Sequence, residues 1–185
     1  SGKYDLIFLD LRMNGVAEED TFRPEEFSGM KILKAIKEQN KGNQVIMFTA
    51  SNKAWNMKAL LDAGADGYYI KESPEYVFPA SYSDSNAREL YDSIVSCFCN
   101  GYLRNVYSKI KKIKKKIQDS QCFANRTDEV LGSIDIAYDL LAKSNANQEY
   151  KAYSYLQLFL VIEEFVKNSA GFYNSEDGLY LYNGE

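Results

Sequence analysis

The chain has 185 residues, 22 basic against 26 acidic side chains and a formal net charge of −4. That length accommodates one ordinary domain and a small second one, and nothing in the bulk charge calls for nucleic acid. The sequence contains no histidine, which excludes Ser-His and Cys-His catalysis and His-ligated metals, so any phosphohistidine must lie on another protein. No apolar run of membrane length and no signal peptide is evident, so a cytoplasmic location without membrane contact is expected. The odd count of three cysteines favours reduced thiols over disulfides.

In chain order, Leu6-Ile7-Phe8-Leu9 is a short apolar run that stops at Asp10. Such a run, ending on one polar residue, reads as a buried parallel strand. Residues 16–27 hold five acidic side chains, Glu18, Glu19, Asp20, Glu25 and Glu26. They read as a solvated loop, with a lid over Asp10 as the alternative. Ser28-Gly29 opens a helix to about residue 39, with Met30, Ile32, Leu33 and Ile36 facing inward. Val45–Phe48 is a second strand, stopping at Thr49. Residues 53–63 form a second helix with Met57, Leu60 and Leu61 inward, closed at Gly64. Tyr68–Ile70 is a third strand, stopping at Lys71. Alternating strands and helices predict a parallel sheet with right-handed crossovers.

Residues 72–83 read as a loop carrying Pro74 and Pro79. Asn86-Ala-Arg-Glu89 then has the form of a capping box. It opens a helix to about Gln118 that Asn100-Gly101 kinks or breaks. The second half carries Leu103, Val106, Ile110, Ile113 and Ile117 at coiled-coil spacing. It also carries Lys111, Lys112, Lys114 and Lys115 among six lysines, a solvated face by the simpler reading and a phosphate-gripping one by the alternative. Thr127 is placed to cap a helix with Leu131, Ile134, Tyr138 and Leu141 on one face. Ser144–Asn147 is a turn, and Asn147 caps a last helix to about Asn168. That helix is apolar almost all round from Tyr155 to Ile162, which predicts burial on several sides and hence a homodimer. Glu163 and Glu164 form its solvent-facing edge, and Gly178–Tyr182 is an edge strand or an ordered tail.

In an open parallel sheet, ligands bind beyond the carboxyl ends of the strands. A carboxylate, a hydroxyl and an ammonium, from Asp10, Thr49 and Lys71, therefore converge on one crevice. The set suits a phosphoryl group, with a nucleophile, a hydrogen-bond donor and a counter-charge.

Asp5-Leu-Ile-Phe-Leu-Asp10-Leu-Arg-Met13, Phe48-Thr49-Ala50 and Ala63-Gly-Ala-Asp-Gly-Tyr68-Tyr-Ile-Lys71 resemble the receiver domain of bacterial response regulators. The resemblance covers about residues 3–73. It implies a flavodoxin-like (CheY-like) sheet, Asp10 as acceptor of a phosphoryl group from a histidine kinase or phosphotransfer protein, and Mg²⁺ as the assisting ion. It further implies that Thr49 and Lys71 contact the phosphoryl oxygens, that the N–H of Ala50 does likewise, and that Tyr68 is the aromatic switch. Asp10 and the backbone carbonyl of Arg12 would be metal ligands. The family's acidic pair, which completes the Mg²⁺ site, has no counterpart here, so the chain is expected to begin at the family's third strand.

The expected architecture is α/β: a partial receiver-type parallel sheet followed by an all-helical module. Residues 1–100 form the partial receiver, 101–124 a helical linker or coiled coil, and 125–185 a helical hairpin for output or dimerisation. The expected function is that of a two-component response regulator, not an enzyme. A phosphorylation-independent binding module, or an RNA- or DNA-binding regulator acting through the lysine helix, is the alternative.

Overall fold

The computed structural model describes residues 4–13, 27–50, 54–71, 80–120, 123, 126–167, 172–174 and 180–182. Two compact units divide the chain, Ser1–Val106 and Tyr107–Glu185. The acidic stretch 16–26 and the segment 72–79 lie outside the described residues.

In the first unit, β1 (Ile7–Asp10), β2 (Val45–Thr49) and β3 (Gly67–Ile70) form a parallel sheet in the order β1-β2-β3. Ile7 stands opposite Val45, Asp10 opposite Phe48, and Thr49 opposite Ile70. The crossovers contain α1 (Ser28–Gln39) and α2 (Ala54–Asp62). This is the α/β architecture that the alternating pattern predicts.

Alternation along the strands sends Leu9, Val45 and Met47 to one face, where Met30 and Leu33 of α1 and Leu60 of α2 complete a core. On the other face Phe8 meets Phe48 edge-on at 5.1 Å between ring centres, and Phe48 meets Tyr69 at 4.9 Å. Here α3 (Ala80–Asn100) covers β3, bringing the Ser93 side chain over Gly67.

The inward face of α1 is Gly29, Met30, Leu33 and Lys37, and Ile32 is exposed. Gly29 sets this rotation, because a Cβ there would lie 2.1 Å from the Asp10 carbonyl oxygen. Leu61, also expected inside, is exposed while Leu60 is buried. Adjacent helical residues point about 100° apart, so both cannot face one sheet.

Lys37 was not foreseen as a core residue. Its ammonium donates to Asp66 at 2.7 Å and to the Asn43 carbonyl at 2.6 Å. The Asp66 carboxylate also accepts the Val45 N–H at 2.7 Å. Burial raises the Asp66 carboxyl above its ordinary 3.8, against the opposing pull of Lys37. The pair ties α1 to the amino ends of β2 and β3.

Helix α3 begins at Ala80, so the loop expected to reach Ser83 is shorter than its sequence suggests. Asn86 lies inside this helix and caps nothing; its amide donates to the Ile70 carbonyl at 2.9 Å. Gly101 separates α3 from α4 (Tyr102–Ser120), at the break that Asn100-Gly101 predicts. The start of α4 packs on the turn after α1. A Cβ at Gly42 would sit 2.4 Å from the Arg104 nitrogen, and Asn40 donates to the Arg104 carbonyl at 3.0 Å. Only glycine permits that approach. Arg104 in turn donates to the Tyr4 carbonyl at 2.5 Å.

The division of units falls within α4, and its apolar stripe is not one seam. Leu103 is buried against Gly42, Ile113 is half exposed, and Ile110 and Ile117 join the core of the second unit.

In the second unit α5 (Thr127–Lys143) and α6 (Glu149–Lys167) form the expected hairpin. Val130, Leu131 and Ile134 join Ile117 and Phe123 in its core. The cap of α5 is Arg126 without a side-chain bond, not Thr127. Asn147 does cap α6, accepting the Glu149 N–H at 2.9 Å. Ser154, buried on α6, donates to the Ala137 carbonyl at 2.7 Å. Lys114 of α4 pairs with Asp135 of α5 at 2.5 Å.

Glu164 is not a solvent edge. It is mostly buried and pairs with Arg126 at 2.7 Å and Lys167 at 3.5 Å. After α6, β4 (Phe172–Asn174) and β5 (Tyr180–Tyr182) pair antiparallel, so the expected edge strand has a partner from the same chain. No helix among the described residues is long and apolar enough to cross a membrane.

Candidate functional site

The carboxyl ends of three parallel strands bring together three polar residues. Asp10 ends β1 and Thr49 ends β2, where it is buried; Lys71 follows β3 directly. The Lys71 N–H donates to the Thr49 carbonyl at 2.7 Å, which extends the ladder by one residue. Its side chain then reaches across the end of β2, and Nζ donates to Asp10 Oδ2 at 2.5 Å. Each side chain of that pair is 39% exposed. The other carboxylate oxygen of Asp10 accepts the Arg12 N–H at 3.3 Å. Asp10 thus faces a solvent-accessible crevice with a cation already on it.

Four local contacts hold Asp10 in place. The Leu11 N–H donates to the Phe48 carbonyl at 3.1 Å, and the Leu11 carbonyl accepts the Gly29 N–H at 3.0 Å. The Ser28 hydroxyl accepts the Met13 N–H at 2.9 Å. The Arg12 guanidinium lies 5.2 Å over the Phe27 ring. The first turn of α1 is therefore bonded to the chain just after Asp10, and Gly29 allows the contact. Sequence reading took Ser28-Gly29 only as a helix start and missed this second role. On β3, the Asn86 bond to the Ile70 carbonyl anchors the backbone beside Lys71.

Tyr68 lies opposite Met47 and is half-buried against the core shared by α1 and α2. Ala50 is exposed and follows Thr49 directly. Of the lysines on α4, Lys111, Lys112 and Lys115 are exposed and Lys114 is engaged by Asp135. They belong to the second unit.

For Mg²⁺ the described residues offer too little. No group of three or more His, Cys, Asp or Glu side chains that could hold a metal occurs among them, and one Asp10 oxygen is engaged by Lys71. Mg²⁺ demands near-octahedral oxygen coordination and is commonly held by one or two carboxylates with a substrate phosphate. Asp10 supplies one carboxylate toward such a shell.

A three-stranded parallel sheet with an Asp, a Thr and a Lys at its carboxyl edge is receiver architecture. Residues 1–78 match the response regulator receiver domain family. The chain is similar to the nitrate/nitrite response regulator protein NarP of Escherichia coli K12, 34% identical over 101 residues, 54% of this chain and 40% of that protein. It is also similar to the nitrate/nitrite response regulator protein homolog of Haemophilus influenzae, 32% identical over 69 residues, 37% of this chain and 28% of that protein. The chain therefore spans less than half the length of either relative.

Proposed function

We propose that the chain is part of a two-component response regulator in which Asp10 accepts a phosphoryl group. The donor is a phosphohistidine on a histidine kinase or a phosphotransfer protein. One observation carries this reading: the Lys71 ammonium rests on an accessible Asp10 carboxylate at 2.5 Å. A carboxylate nucleophile with a movable counter-charge is what phosphoryl capture at that atom requires.

In the transfer, an Asp10 carboxylate oxygen attacks phosphorus as the phosphorus–nitrogen bond of the donor breaks. The bonding electron pair stays on the donor imidazole, which takes up a proton. The phosphoryl oxygens carry more negative charge than the carboxylate they replace, so Lys71 moves onto them. The Thr49 hydroxyl and the Ala50 N–H supply further donors at the strand ends. Drawing Thr49 toward the phosphoryl group opens space that Tyr68 follows, and this alters the surface beside β3. The chain acts as a switch and not as a turnover enzyme, in the cytoplasm, and its helical unit self-associates. Mg²⁺ participation requires carboxylates additional to Asp10.

The site of attachment is testable chemically. An aspartyl phosphate is an acyl phosphate, and borohydride reduces it to homoserine. After incubation with acetyl phosphate and borohydride, peptide mapping is expected to find homoserine at position 10. Homoserine at another aspartate, or nowhere, overturns the assignment.

A further inference from the structure

The outer face of α6 takes no part in the site at the sheet edge. Tyr155, Phe159 and Ile162 follow one another at i, i+4 and i+7, which places them on one line along the helix. Leu156 and Leu158 flank them. All five are exposed, Phe159 by 62%. The flank turned to α5 carries Ser154, whose hydroxyl bonds the Ala137 carbonyl. One neighbour is thus fixed, and the greater part of the helix surface stays open.

The size of this face bears on what covers it. A large side chain totals roughly 200 Å², so five of them at the observed exposures leave on the order of 500 Å² of apolar surface in one patch. That is the size of the largest patch on a soluble monomer, and such patches are often functional. A stable interface covers about 800 Å² per partner. The five residues supply more than half of that area, and Tyr153, Leu160 and Phe165, also exposed on α6, extend the apolar surface toward it.

Charge agrees. From Ala152 to Ile162 the helix carries no ionisable side chain other than the tyrosine phenols. The mostly buried Glu164 beyond it is already paired with Arg126 and Lys167. No charged group on the face has to be desolvated. A straight apolar line without charge is compatible with itself, and two-fold pairing of identical faces is the commonest route to a closed oligomer.

We propose that the α6 face seats a second copy of this chain, with Phe159 near the two-fold axis, so that two α5–α6 hairpins close into a four-helix bundle. This deepens the self-association in the functional reading, but needs no phosphoryl group on Asp10.

The test is sedimentation equilibrium of the full, unphosphorylated chain. Wild type and Asp10→Asn are expected to be dimeric, and Phe159→Glu to weaken association by roughly thirtyfold or more, the scale of a central interface residue. Because Phe159 is mostly exposed in the single chain, circular dichroism of the variant should match wild type. In a Cys99→Ser, Cys122→Ser background, Phe159→Cys should cross-link to its own copy under oxidation. Ile136→Cys, exposed on α5, should not. A monomeric wild type overturns the proposal, including one that instead binds neutral lipid vesicles through α6. So does a Phe159→Glu variant that dimerises like wild type. If Asp10 never takes a phosphoryl group but these results hold, the functional reading fails and the α6 interface stands.

Discussion

Lys71 Nζ lies 2.5 Å from Asp10 Oδ2 although the residues are 61 positions apart in sequence and stand on opposite sides of β2. The parallel register brings them together. Asp10 pairs opposite Phe48, Thr49 extends one residue beyond it, and Lys71 continues from Ile70 opposite Thr49. Three chain segments thereby stop at one edge.

The Asp10–Lys71 pair is expected to matter for chemistry and little for stability. With both side chains 39% exposed, solvent screens the pair, and exposed pairs contribute about 1 kcal/mol or less. Lys71→Met should shift the urea unfolding free energy by no more than that amount. Phosphoryl uptake from acetyl phosphate should fall by at least about tenfold, the effect of losing one stabilising cation. A large stability loss with unchanged uptake would assign Lys71 to the fold instead.

Gly29→Ala tests the contact between α1 and Asp10. The added Cβ meets the Asp10 carbonyl oxygen at 2.1 Å and the Leu11 Cα at 2.7 Å. Both are backbone atoms and cannot swing aside as a side chain would. A loss of roughly 1–3 kcal/mol is expected from such overpacking, measured by urea denaturation. Phosphoryl uptake should fall as well, because the displaced backbone carries the nucleophile.

Lys37 and Asp66 should respond unequally to substitution. Burial raises the Asp66 carboxyl above 3.8, so the folded chain holds that proton more tightly than the unfolded chain. The stability linked to it is complete below pH 3.8 and is lost as pH rises through the raised value. Asp66→Asn mimics the protonated form and should cost less than Lys37→Ala at neutral pH, because the Lys37 ammonium keeps its bond to the Asn43 carbonyl. Lys37→Ala leaves a carboxylate with no ammonium and should cost roughly 3 kcal/mol at pH 7. It removes a charge that lowers the Asp66 pKa, so its deficit should shrink toward pH 4. Urea midpoints of the three proteins across pH 4–8 measure both effects.

The two described cysteines should differ in reactivity. Burial pushes the Cys97 thiol up to about 11, and thiolate is the reactive species. Cys99, two residues on, is exposed. In a Cys122→Ser variant, one thiol should react quickly with a maleimide at pH 8, and the second only after urea is added. Two fast thiols would show that α3 does not stay packed on the sheet.

The polar edge of the sheet was legible in the sequence because each strand is an apolar run stopped by one functional residue. Asp10, Thr49 and Lys71 are separated along the chain but share one end of their strands, and parallel topology does the rest. The helical hairpin was legible for a similar reason: its turn and the Asn147 cap are local chemistry. What escaped depends on tertiary partners. Asn86 has the sequence form of a cap, yet its amide serves a strand end. Lys37 lies outside the apolar stripe of α1, yet its stem is buried in the helix's packed face and its ammonium finds Asp66. Ile32 and Leu61 satisfy a helical period but lose the inward position to neighbours placed by Gly29 and by the sheet.

The most direct measurement is the intact mass of the chain after incubation with acetyl phosphate and Mg²⁺, beside an Asp10→Asn control. The account predicts the mass of one added phosphoryl group on the wild type and none on the control. An unmodified wild type, or an adduct that survives in Asp10→Asn, would contradict it.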